Sequence, residues 1–203
     1  MAISNGYCSL AQIKAALRIT DTVDDTLLEM AVESASRLID GHTGRVFFNA
    51  GTAVRYYTAQ DDFIVQVDDL AGTAGLVIQT SENADGNFNT TFATTDYQLE
   101  PVNQVLDGLS WVYTRIRAVG DYFWPISGGE ALIKVTSHQW GWPAVPTPVT
   151  QACVIQGSRI FKRLDSPLGV AGVGDLGVMR VSRDLDPDVA ALVAQYRRSQ
   201  VYA

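Results

Sequence analysis

Three stretches of the chain differ in how apolar and polar positions alternate. In residues 1–48 and again in 146–203, apolar residues recur every three or four positions, which predicts helices. Residues 49–145 alternate with a period of two and are rich in Val, Ile, Tyr, Trp and Thr, which predicts strands. The pattern therefore predicts an α+β fold: a small bundle of four helices from 1–48 and 146–203, with a β-rich insertion, 49–145, between helices 2 and 3.

Two helices are predicted in the first stretch. The segment Ser9–Gln12 matches a capping box, in which a Ser hydroxyl and a Gln side chain satisfy free amides at the start of a helix. A longer helix is predicted over 24–40, ended by Gly41 and Gly44 because glycine adopts the left-handed conformation at low cost. The predicted buried stripe of this helix consists of Leu27, Leu28, Ala31, Ala35, Leu38 and Ile39.

Six strands are predicted in the insertion. They lie at residues 53–58, 63–67, 76–80, 97–99, 111–118 and 131–137. The dipeptide Asp85-Gly86 is predicted to form a hairpin turn, because both residue types tolerate positive φ. The insertion is thus predicted to be rich in strands.

The third stretch begins with a stiff linker, Pro143–Pro148. It places Thr147 as the predicted cap of a helix that runs from Pro148 to about Leu164. A glycine-rich connection, 166–177, follows. The last helix is predicted over 187–198.

The charge balance excludes some functions. The chain of 203 residues carries 22 acidic against 15 basic residues, a net charge of -7, which argues against a protein that binds nucleic acid by neutralising phosphates. Residues 49–145 hold eleven acids and four bases, whereas 146–203 hold five acids and seven bases. This asymmetry favours contacts between copies, with ordinary solvated faces as the alternative. No apolar run approaches the ~20 residues of a membrane helix, so no membrane partner is predicted.

Candidates for catalysis or cofactor binding are few. The segment Gly172–Gly177 matches G-x-G-x-x-G, but a dinucleotide site needs a strand before it and a helix after it. Here a predicted helix precedes it, and residues 178–181 have strand propensity. His42 and His138 lack companions at metal-ligand spacing, and Cys8 and Cys153 are too few for a disulfide framework. The sequence therefore predicts no enzyme, no cofactor and no metal.

The tryptophans are compatible with a second hypothesis about the function. Trp111 and Trp124, together with Tyr122, would suit a carbohydrate- or ligand-binding β module, since aromatic rings stack on sugars. Such residues serve more often as core or interface anchors. A nucleotide-using enzyme built on Gly172–Gly177 is a third and weaker possibility.

Several segments of the chain follow one another in a recognisable order. They are 10–19 (LAQIKAALRI), 24–28 (DDTLL), 35–40 (ASRLID), 44–47 (GRVF), 140–146 (WGWPAVP), 186–189 (DPDV) and 196–198 (YRR). The most recognisable part is a helix, an acidic break and a second helix near the N-terminus. This order resembles the head–tail connector (adaptor) proteins of long-tailed bacteriophages.

The resemblance implies a structural virion protein without enzymatic activity. Such connectors are helical bundles, often with a β insertion, that assemble as a ring, commonly a dodecamer, at the neck of the particle. The ring joins the portal protein to a stopper or tail-terminator protein and lines the channel through which DNA passes without sequence-specific binding. The resemblance therefore implies a homo-oligomer located in the virion and assembled in the host cytoplasm.

The resemblance also implies roles for two sets of residues. In related connectors the C-terminal region tends to reach the portal. By position, the portal-facing arm comprises Gly169, Gly172, Gly174, Gly177, Met179, Arg180, Arg183, Tyr196, Arg197 and Arg198. The candidates for contacts between subunits are Arg37, Arg45, Trp140, Trp142 and Arg159.

Overall fold

A computed structural model describes residues 2–126, 129–165, 170–172, 178–180 and 185–198. The described chain divides into two compact units. The helical unit takes the residues up to Phe47 and those from Val145 onward, and the β unit takes Phe48–Ala144. The predicted α+β fold, with its β-rich part between the second and third helices, is confirmed.

The first helix of the helical unit, α1, spans Leu10–Leu17 and begins with the predicted capping box. The Ser9 hydroxyl accepts a hydrogen bond from the Gln12 amide at 3.2 Å, and the Gln12 side chain accepts one from the Ser9 amide at 2.7 Å. Two amides that the helix cannot satisfy are thus paired by local side chains. Arg18, with φ of 59°, ends the helix.

The second helix, α2, spans Asp25–Thr43, so it continues beyond its predicted end at residue 40. Gly41 remains helical, and Gly44, with φ of +67°, ends the helix. Leu27 and Leu38, which were predicted to be buried, are 42% and 48% exposed. That part of the prediction is wrong, because the face that packs is rotated. It consists of Leu28, Ala31, Val32, Ala35, Ser36, Ile39 and Thr43.

The third and fourth helices complete this unit. Helix α3 spans Thr147–Lys162, and its cap is Pro146 rather than Thr147. Helix α4 spans Pro187–Val193 and continues as one 3₁₀ turn, Ala194–Tyr196, so the regular helix is shorter than predicted. No helix in the described part of the chain has the length and apolar character that crossing a bilayer requires.

The core of the helical unit lies where α3 packs on α2. Gly157 of α3 faces the backbone of Ala31, and a Cβ at this position would lie 3.7 Å from the Ala31 carbonyl oxygen. Absence of a side chain therefore allows the close approach of the two helices. An aromatic chain extends the core, since Phe47 makes edge-to-face contacts with both Tyr7 and Tyr196, with ring centroids 5.6 and 5.5 Å apart.

The strands of the β unit include all six that were predicted. Strand β4 and the short hairpin β6–β7 are additional elements. The strands are β1 (Asn49–Tyr57), β2 (Ile64–Leu70), β3 (Val77–Thr80), β4 (Thr90–Phe92), β5 (Tyr97–Glu100), β6 (Val105–Leu106), β7 (Leu109–Ser110), β8 (Tyr113–Ala118) and β9 (Ile133–Gly141). Two further strands, β10 (Val170–Gly172) and β11 (Val178–Arg180), pair antiparallel in the C-terminal stretch.

Strand β9 organises the main sheet of the β unit. It pairs antiparallel with β1 on one side and with β3 on the other, and β3 pairs in turn with β4. Strands β2, β8 and β5 continue the sheet from the pair Leu70–Trp140. Alternate residues of β9, beginning with Ile133, point into a core that includes Trp124 and Trp140.

Asp85-Gly86 does not form a tight hairpin turn. It lies within the longer connection of residues 81–89 between β3 and β4, where Gly86 has φ of +77°. The Asp85 carboxylate accepts a hydrogen bond from the Asn87 amide at 2.9 Å. The hydrogen bond from the Asn87 side chain, followed by that from its backbone amide, lowers the pKa of Asp85. The residue types of a turn are present, but the side-chain bonds stabilise a wider loop.

Candidate functional site

The two cysteines lie together in the core of the helical unit. The Cys153 thiol lies 3.4 Å from the Ser36 hydroxyl. Hydrogen bonding to the Cys153 thiol, together with burial, raises the pKa of the Cys8 thiol well above its usual range. A thiol that stays protonated is a poor nucleophile, so the Cys8 side chain is suited to packing rather than to catalysis.

The two histidines belong to different units of the chain. His42 lies in the last turn of α2, in the helical unit, whereas His138 is exposed on β9 of the β unit. Across the described ranges of the chain, no group of three His, Cys, Asp or Glu side chains is placed to hold a metal ion.

The tryptophans proposed for sugar stacking are buried. Trp124 stacks on Phe92 with ring centroids 4.6 Å apart, and its indole nitrogen donates to the Phe63 carbonyl at 3.0 Å. Trp111 packs edge-to-face on Trp142 at 5.2 Å. Rings enclosed in this way present no face to a sugar. The carbohydrate-binding alternative therefore loses its two tryptophans.

Trp140 and Trp142, named as candidates for contacts between subunits, are also buried. The indole nitrogen of Trp140 donates to the Ala53 carbonyl at 2.9 Å, and the Arg55 guanidinium lies 4.5 Å from its ring centroid. The indole nitrogen of Trp142 donates to the Asp69 carboxylate at 2.8 Å. Both side chains are buried inside the β unit, and their contact with a neighbouring subunit stays a prediction.

The three candidate arginines all have partners inside the helical unit. Arg37 pairs with the Asp40 carboxylate at 3.0 Å and remains partly exposed. Arg45 donates to the Tyr196 carbonyl at 2.7 Å, and Arg159 pairs with Asp186. Arg45 and Arg159 thus connect the end of α2 and helix α3 to the segment of α4, whereas the pair of Arg37 and Asp40 lies within α2. Contacts of these arginines with a neighbouring subunit stay a prediction.

The predicted portal-facing arm is described only in part. Tyr196 is buried against Phe47, and the Arg198 amide donates to the Thr43 carbonyl at 2.7 Å, whereas Arg197 is exposed. Gly172, Met179 and Arg180 are described by their backbone, in β10 and β11. The remaining residues of the predicted arm lie outside the described residues: Gly169, Gly174, Gly177 and Arg183.

The G-x-G-x-x-G segment does not have the context of a dinucleotide site. Its first glycine, Gly172, ends β10, and the residue after its last glycine begins β11. Two paired antiparallel strands flank the segment, whereas a dinucleotide site requires a strand followed by a helix.

Sequence reasoning missed two exposed apolar surfaces of the β unit. One is the β6–β7 hairpin. The other is the outer face of the strands β1, β9 and β3, which we call the outer β9 face. Its outward-facing residues are Val54, Tyr56, Val77, Gln79, Lys134 and Thr136. The period-two pattern was the available signal for the second surface, but which face of each strand lies outside depends on the pairing.

An α+β chain with a buried aromatic core and exposed apolar surfaces has the features of a protein that assembles with other chains. Comparison with known proteins makes this specific. Residues 7–96 match the family of phage gp6-like head-tail connector proteins. The resemblance to head–tail connectors is therefore confirmed over α1, α2 and the first strands of the β unit. No protein with a curated description matches the chain.

Solved structures with the same fold come from gene transfer agent (GTA) particles. The chain is 18% identical to a component of the neck of an empty GTA particle computed with C6 symmetry, with a TM-score of 0.57, covering 100% of this chain and 95% of that one. A component of the native neck computed with C12 symmetry is 18% identical, with a TM-score of 0.56 and coverages of 100% and 94%. A chain of the native GTA virion is 17% identical, with a TM-score of 0.57 and coverages of 100% and 95%.

Proposed function

We propose that the protein is a structural subunit of the head–tail connector of a bacteriophage-like particle, without enzymatic activity. The observation that carries this proposal is the match of residues 7–96 to the gp6-like connector family. The fold supports it independently, because the similarity to neck components extends over the whole chain. The protein would thus act in the virion, at the junction of head and tail.

The proposed assembly is a closed ring of identical subunits. Similar chains occur in necks computed with C6 and C12 symmetry, and a dodecamer is compatible with both. Rings arise from heterologous contacts, in which one surface of a subunit binds a different surface of the next. The two exposed apolar surfaces of the β unit suit such a contact.

The ring would bind the portal protein on one side and a stopper or tail-terminator protein on the other. The net charge of -7 is compatible with a channel function, since an acidic protein does not bind DNA phosphates tightly. We propose that the portal-facing arm defined above contacts the portal, because its Arg197 side chain is exposed. Tyr196 would support this arm from within, because it packs on Phe47.

Electron microscopy of purified particles tests the function. We expect a ring of this chain at the neck, and particles that lack the protein should contain DNA but no attached tail. A protein that stays monomeric and is absent from particles, even when the portal is present, would contradict the proposal.

A substitution tests the portal contact more cleanly than a truncation. Removal of residues 170–203 would also remove Val189, Val193 and Tyr196 from the core of the helical unit. We therefore propose Arg197→Glu, with the exposed Lys162→Glu in α3 as a matched charge reversal. Only Arg197→Glu should weaken binding of the full chain to the portal. Equal effects of the two variants would argue against the C-terminal contact.

A further inference from the structure

The β6–β7 hairpin exposes apolar side chains on a two-stranded ribbon. Its strands pair through Val105–Ser110 and Leu106–Leu109, and Val105, Leu106 and Leu109 are between 38% and 50% exposed. An isolated two-stranded hairpin is marginally stable in water. A hairpin with this composition therefore gains stability from a surface that covers it.

The turn of this hairpin holds a single charge. Asp107 and Gly108 are its central residues, with φ of 50° and 79°, the left-handed values that a tight hairpin turn requires. Asp107 is the one charged residue between Pro101 and Val112. No ion pair of the Asp107 carboxylate occurs within the described ranges. The hairpin is thus an aliphatic projection that ends in one anion.

The outer β9 face also exposes apolar side chains, but the charge that it carries is positive. Val54, Thr136 and Val77 lie side by side across three strands, and Lys134 lies beside Tyr56 on the next rung. Val54, Tyr56 and Val77 are between 42% and 55% exposed. The face thus combines exposed apolar side chains with polar ones, and a second element can cover it.

One charge lies at the centre of the outer β9 face. The Lys134 ammonium is 5.8 Å from the ring centroid of Phe88, and this ring also contacts Tyr56. Within the described ranges, Lys134 has no carboxylate partner. The Lys134 cation is therefore complementary in charge to the Asp107 anion at the tip of the hairpin. Exposed apolar side chains surround both charges, so the two surfaces can also bury apolar area against each other.

We infer that the β6–β7 hairpin of one copy binds the outer β9 face of a second copy, with Asp107 against Lys134. The inference rests on the proposed ring and names the surfaces that join its subunits. The two surfaces differ, so each copy offers a hairpin to one neighbour and a sheet face to the other. Contacts of this kind close into a ring when the rotation between neighbouring copies closes, whereas a twofold dimer would place like surfaces together.

Paired cysteines test the contact on the full chain. Asp107→Cys and Lys134→Cys are combined in one chain, which is oxidised both as the purified protein at high concentration and in assembled necks. We expect a ladder of disulfide-linked oligomers on a non-reducing gel. Each single variant should give no ladder, and a mixture of the two single variants should stop at dimers. The native Cys8 and Cys153 are buried and should contribute little background.

Asp107→Cys combined with Gln66→Cys is the matched control, since Gln66 is exposed on β2, outside the outer β9 face. Rings that give no ladder with the Asp107–Lys134 pair would overturn the inference and leave the proposed function intact. A ladder of equal yield with the Gln66 control would overturn it as well, and dimers from Asp107→Cys alone would indicate a twofold contact instead. Failure to form rings under any condition would overturn both.

Charge reversal gives a second readout. Asp107→Lys and Lys134→Asp should each weaken association of subunits about tenfold or more, because each brings like charges together. The double variant should restore it. Two single variants that assemble like the natural protein would contradict the pairing of these side chains.

Discussion

The indole nitrogen of Trp142 donates a hydrogen bond to the buried carboxylate of Asp69 at 2.8 Å. Asp69 belongs to β2 and Trp142 directly follows β9, so the bond joins the two parts of the main sheet. A buried carboxylate needs such donors, because water no longer solvates it. This pair therefore holds the β unit together where its two halves meet.

Trp142→Phe is expected to lower the free energy of unfolding by about 2 kcal/mol, since it takes a donor from a buried acceptor and leaves the ring contact with Trp111 largely intact. Denaturant titration followed by fluorescence measures this change. Tyr122→Phe, at an exposed aromatic position, serves as the control and should alter stability by less than about 0.5 kcal/mol. Equal stability of the Trp142 variant and the natural protein would show that the bond contributes nothing.

Tyr7 should make the helical unit less stable at alkaline pH. Its hydroxyl donates to the Asp40 carboxylate and accepts from the Phe47 amide at 2.9 Å. Burial, with the hydrogen bond to Asp40, raises the pKa of Tyr7 far above the ordinary value of 10.0. Above pH 10 the unfolded chain releases a proton that the folded chain retains, so stability falls as the pH rises.

The expected loss from Tyr7 is about 1.4 kcal/mol per pH unit above its ordinary pKa. Tyr7→Phe should remove this part of the slope, although it lowers stability at neutral pH through the lost hydrogen bonds. Denaturant titrations at pH 8 to 11 measure both effects. Parallel pH profiles of the variant and the natural protein would exclude Tyr7 as the responsible group.

Substitution of two helical glycines, Gly157 and Gly41, should change the stability in opposite directions. A Cβ at Gly157 would lie 3.0 Å from the Ile13 side chain, so Gly157→Val crowds the contact of α3 with α1 and α2 and should cost about 1–3 kcal/mol. Gly41 lies in α2 with no atom within 4 Å of such a Cβ. Gly41→Ala should therefore add about 0.5–1 kcal/mol. Thermal unfolding compares the two, and a stabilising Gly157→Val would contradict the close packing.

Asp186 has two roles at the start of α4. Its carboxylate accepts from the Asp188 amide at 2.9 Å and pairs with Arg159 of α3. Asp186→Ala removes both interactions and should cost about 1–2 kcal/mol, whereas Asp186→Asn retains the cap and should cost less. Hydrogen exchange of residues 187–196 reports the opening of α4. Identical exchange in the two variants would show that the cap has no separate effect.

Local interactions explain why the helices and strands were predicted well. The capping box of Ser9 and Gln12 involves residues three apart, and Gly44 ends α2 through its own backbone conformation. A period of two in the middle of the chain indicates strands wherever they pair. The motif order that resembles head–tail connectors is likewise a property of the sequence, and the match of residues 7–96 confirmed its N-terminal part.

Tertiary contacts decided which side chains are available at the surface. Leu27 and Leu28 are adjacent and equally apolar, and only the packing of α2 in the helical unit determines that Leu28 is buried and Leu27 exposed. Tryptophan is a residue type that often anchors interfaces, but the side chains of Trp140 and Trp142 are buried inside the β unit. Sheet register also brings Val54, Thr136 and Val77, which are distant in the sequence, onto one surface.

The sequence alone therefore determined the helices, six strands of the β unit, their order and the family that they resemble, because caps, periodicity and turns are local. It did not determine the candidate assembly surfaces. These depend on helix rotation and strand register, which arise from contacts between residues far apart in the chain.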